Sequence, residues 1–428
     1  MDGAQLITVY PSKISGEIVA PASKSSMQRA CAAAFVKKGI SIIHNPGIAN
    51  DDKASLAVIQ TLGAIVTELE NGSLKIDSSD ISTKELVTID FGESGLGSRM
   101  FTPIAALSAS KVHITGHGSL TTRPMNFFDE VLPKLEVDIQ SNEGKLPLDI
   151  QGPLVPHNIT VDGSLSSQYL TGLLLSFAAA QANNVTIKVE NLKSKPYIDL
   201  TLKVMEDFQL KLPENHNYES FTFGTESVIS KDTIVYQVEG DWSGGAFLLV
   251  AAAVGGSSVI KGLDVQSTQA DKAILNALQE SGVQLSIGFD QIEITKPTSL
   301  KPFRFDATEC PDLFPPLVAL AANCQGDSMI EGVTRLAHKE SDRGLTLQEE
   351  FGKMGIEVEL KGDVMIVHGG TGIQSATTTS HNDHRIAMAI AVAALNANGP
   401  VAIQDPMAVK KSYPNFYEHI EKLGVKVV

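Results

Sequence analysis

At 428 residues the chain is too long for one ordinary core, and two domains of about 200 residues are the first expectation. Its composition, 43% hydrophobic, 6% aromatic and 19% charged with 35 glycines, is that of a soluble α/β protein, and a net charge of −15 disfavours a nucleic-acid partner, whose affinity would need clustered Lys and Arg. The opening MDGAQLITVY lacks the basic and apolar regions of a signal peptide, apolar runs such as 246–256 fall short of the roughly 18 residues of a membrane span, and Cys31, Cys310 and Cys324 form no CxxC pair; a cytoplasmic protein with no membrane anchor, disulfide framework or zinc site is expected.

Taken in chain order, the predicted elements repeat one plan: a Gly/Ser/polar head, an Ala-rich apolar helix, a small-residue stop and a short strand. The copies are ASKSSMQRACAAAFVKKGISII, GESGLGSRMFTPIAALSASKVHIT, GSLSSQYLTGLLLSFAAAQANNVTI, GDWSGGAFLLVAAAVGGSSVI, CPDLFPPLVALAANCQGDSMI and HNDHRIAMAIAVAALNANGPVAI. Their heads align at Ser23, Gly95, Ser166, Ser243, Asp312 and His384, at spacings of 72, 71, 77, 69 and 72 residues. Each copy continues into a second, more polar helix ending in a strand, as in AVIQTLGAIVTEL and EEFGKMGIEVEL, so the unit is βαβα with an extra strand.

The two helices of a unit differ in where they can sit. Residues 386–395 are apolar on every face, which requires protein all round, whereas residues 347–354 mix charged and apolar side chains like a surface helix. Six all-apolar helices cannot share one small core. Three units per domain, each packing its apolar helix inward against surrounding sheets, give a two-domain inside-out α/β barrel. The midpoint falls near Glu239-Gly240, with no Pro/Gly/Ser-rich linker to mark it.

The polar heads lie at the N-termini of these buried helices, where free N–H groups and the macrodipole favour Ser, Thr, Asp or an anion and disfavour cations by roughly 0.3–1 kcal/mol each. Yet Lys24, Arg29, Arg99 and Arg385, beside His384, recur there. A cleft that binds anions would use N–H groups, dipole and cations together. Arg123, Arg335, Lys339, Arg343, Lys410 and Lys411 cluster in the loops before the second helices; singly each reads as a solvated surface residue, and only their recurrence at one address suggests more. Ser166, Ser167 and Gln168 are helix caps or ligand contacts, Asp312 is a cap by position, and Asp241 with Ser243 reads as a cap. Adjacent His381, Asp383 and His384 make a poor metal site. GESGLGSR is neither a Walker loop nor a GxGxxG fingerprint.

Together PASKSSMQRA, TTRPM, GSLSSQ, SKPYID, KESDR, NDHR and KKSYP resemble the enolpyruvyl transferases over the whole chain, and within them NDHR, SKPYID and KESDR are similar to the 5-enolpyruvylshikimate-3-phosphate synthases. The resemblance implies transfer of the enolpyruvyl group of phosphoenolpyruvate to the 5-hydroxyl of shikimate 3-phosphate, in the shikimate pathway, with release of phosphate and with no cofactor or metal. It implies that Lys24, Ser25, Arg29, Ser166, Ser167, Gln168, Ser194, Tyr197, Asp312 and Lys339 hold shikimate 3-phosphate. Phosphoenolpyruvate would meet Lys24, Gly95, Arg123, Gln168, Arg343, Arg385 and Lys411. Asp312 and Glu340 would be the acid/base carboxylates, with Lys24 and Lys411 stabilising charge.

The resemblance also implies that residues 1–20 and 240–428 form one domain and 21–239 the other, with the active site in the interdomain cleft. Facing cations there imply an open unliganded form that closes on its anions, in a monomer. Glu93 stands where the family commonly has Asn, Leu96 where it commonly has Thr, and the loop 335–338 lacks the usual Asn and Arg. Sensitivity to the family's inhibitor glyphosate is the default expectation, with Leu96 beside Gly95 acting against it. The rival readings are a UDP-sugar acceptor, disfavoured by NDHR and by the missing reactive-cysteine loop, and a non-catalytic anion-binding relative.

Overall fold

The computed structural model describes residues 6–82, 84–230 and 232–428; residues 1–5 of the predicted 1–20 crossover lie outside the described residues. The chain divides into two compact units, a central one, Lys24–Val238, and a terminal one, Met1–Ser23 with Glu239–Val428.

All six Ala-rich segments are helices: Lys24–Lys37, Gly95–Ala105 and Ser167–Ala179 in the central unit, Trp242–Gly255, Phe314–Ala322 and His384–Ala393 in the terminal unit. Alanine favours the helix, and the lack of a polar stripe forces burial. Every residue of Trp242–Gly255 and of His384–Ala393 is buried. Where two such helices approach closely, glycine makes the room: a Cβ on Gly172 would stand 2.6 Å from the carbonyl oxygen of Met100 and 2.8 Å from Pro103. Close approach here brings the heads of Gly95–Ala105 and Ser167–Ala179 together.

Among the described residues each unit has three sheets around its helices; five of the six are a parallel pair extended by an antiparallel hairpin, and the sixth is a parallel pair, Ala376–Thr379 with Val401–Gln404, joined by one antiparallel strand. Leu86–Asp90 runs parallel to Lys111–Thr115, which pairs antiparallel with Lys145–Gln151, itself flanked by Asp138–Asn142. In-out alternation along Leu86–Asp90 shows one face packed on the helices. The repeat is closed by strands exchanged across the sequence. Glu17–Val19 precedes the first buried helix, yet it pairs in parallel with Ser258–Lys261 of the terminal unit. Ile234–Gln237 precedes Trp242–Gly255 yet pairs in parallel with Ile40–His44 of the central unit.

The connecting segments run beside each other: Ala22 bridges Gly240, the Ser23 N–H donates to the Glu239 carbonyl at 2.8 Å and the Asp241 N–H to the Pro21 carbonyl at 2.8 Å. The sixth sheet is completed by Leu6–Val9, antiparallel to Val401–Gln404. The second helices are less exposed than their polarity suggests; Arg343–Lys353 buries Arg343, Gly344, Thr346, Leu347, Glu350 and Phe351.

Candidate active site

In the terminal unit the head of each buried helix carries a carboxylate. Asp241 caps Trp242–Gly255 by accepting from the Ser243 N–H at 2.8 Å, and Asp383 caps His384–Ala393 by accepting from the Arg385 N–H at 3.0 Å. Asp312 departs from the cap expected of it. It lies in a 3-10 turn, Pro311–Leu313, ahead of Phe314–Ala322, which has no side-chain cap, and its carboxylate turns to cations instead. It accepts from Arg343 Nη1 at 2.8 Å, Lys339 Nζ at 3.2 Å and Arg385 Nη2 at 3.1 Å.

Arg343 is the hub. Only 1% exposed, it spans Asp312, Glu340 (Nη2 to Oε2, 2.6 Å) and Asp383 (Nε to Oδ2, 2.8 Å). Burial opposes its charge, but Asp383, Glu340 and Asp312 outweigh that and hold the guanidinium above its usual value. Burial likewise pushes the Asp312 carboxyl up, and Arg385, Lys339 and Arg343 override it, holding Asp312 well below the usual carboxylate range. Lys411, 6% exposed, donates to the Asn382 carbonyl at 2.6 Å, one residue from Asp383.

Asp271, which the sequence did not single out, is buried beside this group and accepts from the Ser243 hydroxyl. Desolvation, with the Asp312 charge adding, pushes its carboxyl up to about 7 against the pull of Arg385. A folded-state value above the unfolded one of about 3.9 means the folded protein binds this proton more tightly, so stability falls as pH rises from 4 through 7. Asp271→Asn removes that term. Its melting temperature relative to wild type is expected to climb between pH 5 and pH 7.5 and then level off, and a gap constant with pH would contradict this.

The central unit gathers its own set. Arg29, 1% exposed, donates to Thr201 Oγ1 and to the Ser25 carbonyl at 2.9 Å each, and to the Tyr197 carbonyl at 3.3 Å, tying the first buried helix to the helix Lys195–Asp207. Ser194, at the left-handed φ of 58°, begins that helix. Arg99 donates to Gln168 Oε1 at 3.0 Å and lies 5.1 Å from the Tyr169 ring centre. Ser166 caps Ser167–Ala179, and Ser94 caps Gly95–Ala105 through the Gly97 N–H at 3.0 Å.

Gly95 has a spatial role: a Cβ there would lie 2.2 Å from Arg123 Nη1. The Tyr169 hydroxyl anchors the TTRPM loop at the Pro124 carbonyl, 2.6 Å away. Glu93, unusual in its position, accepts from the Ser119 N–H at 3.2 Å and so ties the same loop, while Leu96 turns into the core at 7% exposure. Lys24 carries an internal counter-ion the sequence reading missed, Asp51, at 2.9 Å. Its signal was the acidic pair Asp51-Asp52 opening the helix Asn50–Thr61.

Two groups of buried cations, each at the heads of three enclosed helices, are what comparison with known proteins has to account for. The sequence profile of EPSP synthase, 3-phosphoshikimate 1-carboxyvinyltransferase, matches residues 9–420. The chain belongs to the EPSP synthase family. It is 35% identical over 427 residues to the 3-phosphoshikimate 1-carboxyvinyltransferase of Clostridium novyi, covering 98% of this chain and 97% of the other, and 33% identical to that of Clostridioides difficile, covering 98% of both. The two-domain inside-out fold is shared with solved structures. EPSP synthase of Acinetobacter baumannii superposes with a TM-score of 0.79 at 22% identity, covering 99% of this chain and 100% of that one. The enolpyruvyl transferase NikO of Streptomyces tendae gives 0.77 at 18%, covering 99% and 98%.

Proposed function

We propose that the chain transfers the enolpyruvyl group of phosphoenolpyruvate to the 5-hydroxyl of shikimate 3-phosphate and releases phosphate, by addition and then elimination. The observation that carries this reading is the meeting of Lys339, Arg343 and Arg385 on Asp312, with Glu340 on the same guanidinium: anion clamps and acid/base carboxylates in one hydrogen-bonded group. The two substrates bring about −5 to −6 charges, each carrying a phosphate and a carboxylate, and such a load requires many local cations. Arg pairs bidentately with both groups, so Lys at Arg123 or Arg343 would not be conservative.

Phosphoenolpyruvate is assigned to Lys24, Gly95, Arg123, Gln168, Arg343, Arg385 and Lys411, and shikimate 3-phosphate to Lys24, Ser25, Arg29, Ser166, Ser167, Gln168, Ser194, Tyr197, Asp312 and Lys339. Asp312, kept ionised by its three cations, is free to accept the 5-hydroxyl proton, at some cost in basicity, and passes that proton to the departing phosphate. Glu340 then moves the proton at the methylene carbon: entering the cycle protonated, it gives that proton to the carbon as the hydroxyl oxygen bonds to carbon 2, and takes a proton back from the resulting methyl group as the tetrahedral intermediate expels phosphate. Lys24 and Lys411 stabilise the charge that develops.

The C–O bond of phosphoenolpyruvate must break in this chemistry. With ¹⁸O in the bridging position, the label is expected in the released phosphate; label retained in the organic product would mean P–O cleavage and would sink the mechanism. The role given to Gly95 has its own check. An added methyl displaces the end of the flexible Arg123 side chain and no backbone, so Gly95→Ala should raise KM for phosphoenolpyruvate about tenfold with little change in melting temperature. An unchanged KM would remove Arg123 from the clamp.

A further inference from the structure

Among the described residues, Glu350 is a fully buried carboxylate that the reaction does not use. It sits on the helix Arg343–Lys353, seven residues and two turns beyond Arg343 on the same face. It accepts from the Thr379 N–H at 2.9 Å, from Lys353 Nζ at 2.7 Å and from His381 Nε2 at 2.6 Å. Glu349, Glu350 and His381 lie close enough to suggest a metal site, but the Lys353 ammonium already bridges both glutamates and supplies the positive charge.

The segment this carboxylate grips is strained. His381 and Asn382 are consecutive non-glycine residues at φ 50° and 55°, a left-handed conformation that persists where the surroundings hold it. Its far side feeds the site. The Asn382 carbonyl receives Lys411 Nζ at 2.6 Å, and Asp383 receives Arg343 and caps the helix that begins with His384 and Arg385.

We propose that Glu350, acting through His381 and Thr379, is a positioning residue for the phosphoenolpyruvate clamp, holding the strained backbone from which Asn382 orients Lys411 and Asp383 orients Arg343. The proposal rests on the assignment of Arg343, Arg385 and Lys411 to phosphoenolpyruvate made above. Glu350 touches no substrate. Its effect passes through the carbonyl of one residue and the carboxylate of the next, which makes affinity for phosphoenolpyruvate, and not for shikimate 3-phosphate, the quantity it controls.

The test is steady-state kinetics with both substrates, alongside thermal melting, for wild type, Glu350→Gln, His381→Ala, the double variant, His381→Gln and Lys411→Ala. KM for phosphoenolpyruvate is expected to rise about fivefold or more in each of the first two, with KM for shikimate 3-phosphate within about twofold and no further rise in the double variant. His381→Gln, which keeps an N–H donor, should recover most of the affinity. A phosphoenolpyruvate KM unchanged in both singles, whatever their melting temperatures, would make Glu350 a purely structural anchor and overturn the proposal. If Glu350→Gln does not fold, His381→Ala decides alone, since its side chain is already 32% exposed. Lys411→Ala with normal phosphoenolpyruvate affinity would overturn the underlying site assignment instead.

Discussion

Arg343→Met is expected to lower kcat/KM by about 10²–10³-fold and to destabilise the protein by about 3–5 kcal/mol. Both effects come from one group. The guanidinium is 1% exposed and neutralises Asp383, which is fully buried, together with Glu340 and Asp312. Removing it leaves the Asp383 carboxylate in the interior, still accepting from the Ser341 hydroxyl at 3.1 Å and from the Arg385 N–H but without its closest cation. Because Asp383 also caps His384–Ala393, the head of that helix loosens with it. Chemical denaturation and initial rates on the same preparation check the two effects separately. A variant with wild-type stability would mean that these carboxylates are neutralised in another way.

The second large effect is expected at Asp312. Asp312→Asn keeps the shape of the side chain but removes the proton acceptor, and kcat should fall by about 10²–10⁴-fold. KM for phosphoenolpyruvate should not rise, because Lys339, Arg343 and Arg385 lose a competing anion. The stability consequence has a definite sign. Asp312 has a folded-state pKa below its unfolded value of about 3.9, so it contributes stability above that pH and loses the contribution as pH falls through the folded value. Wild type should therefore out-melt Asp312→Asn near neutral pH, and the gap should narrow below about pH 4. Turnover close to wild type would move the hydroxyl-proton role away from Asp312.

Much of this arrangement was legible because helix burial is written in composition. Six Ala-rich segments with no polar face, at nearly even spacing, admit few arrangements other than helices inside sheets, and the cations at their heads stood out as electrostatically misplaced. Counter-ions were not legible. Asp51 lies 27 residues from Lys24, Asp383 lies 40 from Arg343 and Asp312 lies 73 from Arg385, and no periodicity links such pairs. Asp312 was misread as a cap for a related reason. Its position at a helix head is the one a cap would occupy, but Pro311 begins a 3-10 turn there, and the cations that claim the carboxylate come from elements distant in sequence. Glu350 was hidden by its own helix, whose mixed composition suggests exposure although the face carrying Arg343, Leu347 and Glu350 is buried.

The strand exchange was not legible in the residues themselves; only the family resemblance implied that residues 1–20 join the terminal half, and it named no sheet. Glu17–Val19 and Ile234–Gln237 are short strands whose sequences say nothing of which sheet they join, and only pairing with Ser258–Lys261 and Ile40–His44 assigns them.

Phosphate release from phosphoenolpyruvate, measured with shikimate 3-phosphate or a UDP-sugar as the acceptor, tests the central claim most directly. Release with shikimate 3-phosphate alone, in step with the appearance of an enolpyruvyl ether on its 5-hydroxyl, is the predicted result. Release only with the sugar nucleotide, or with neither acceptor, would contradict it.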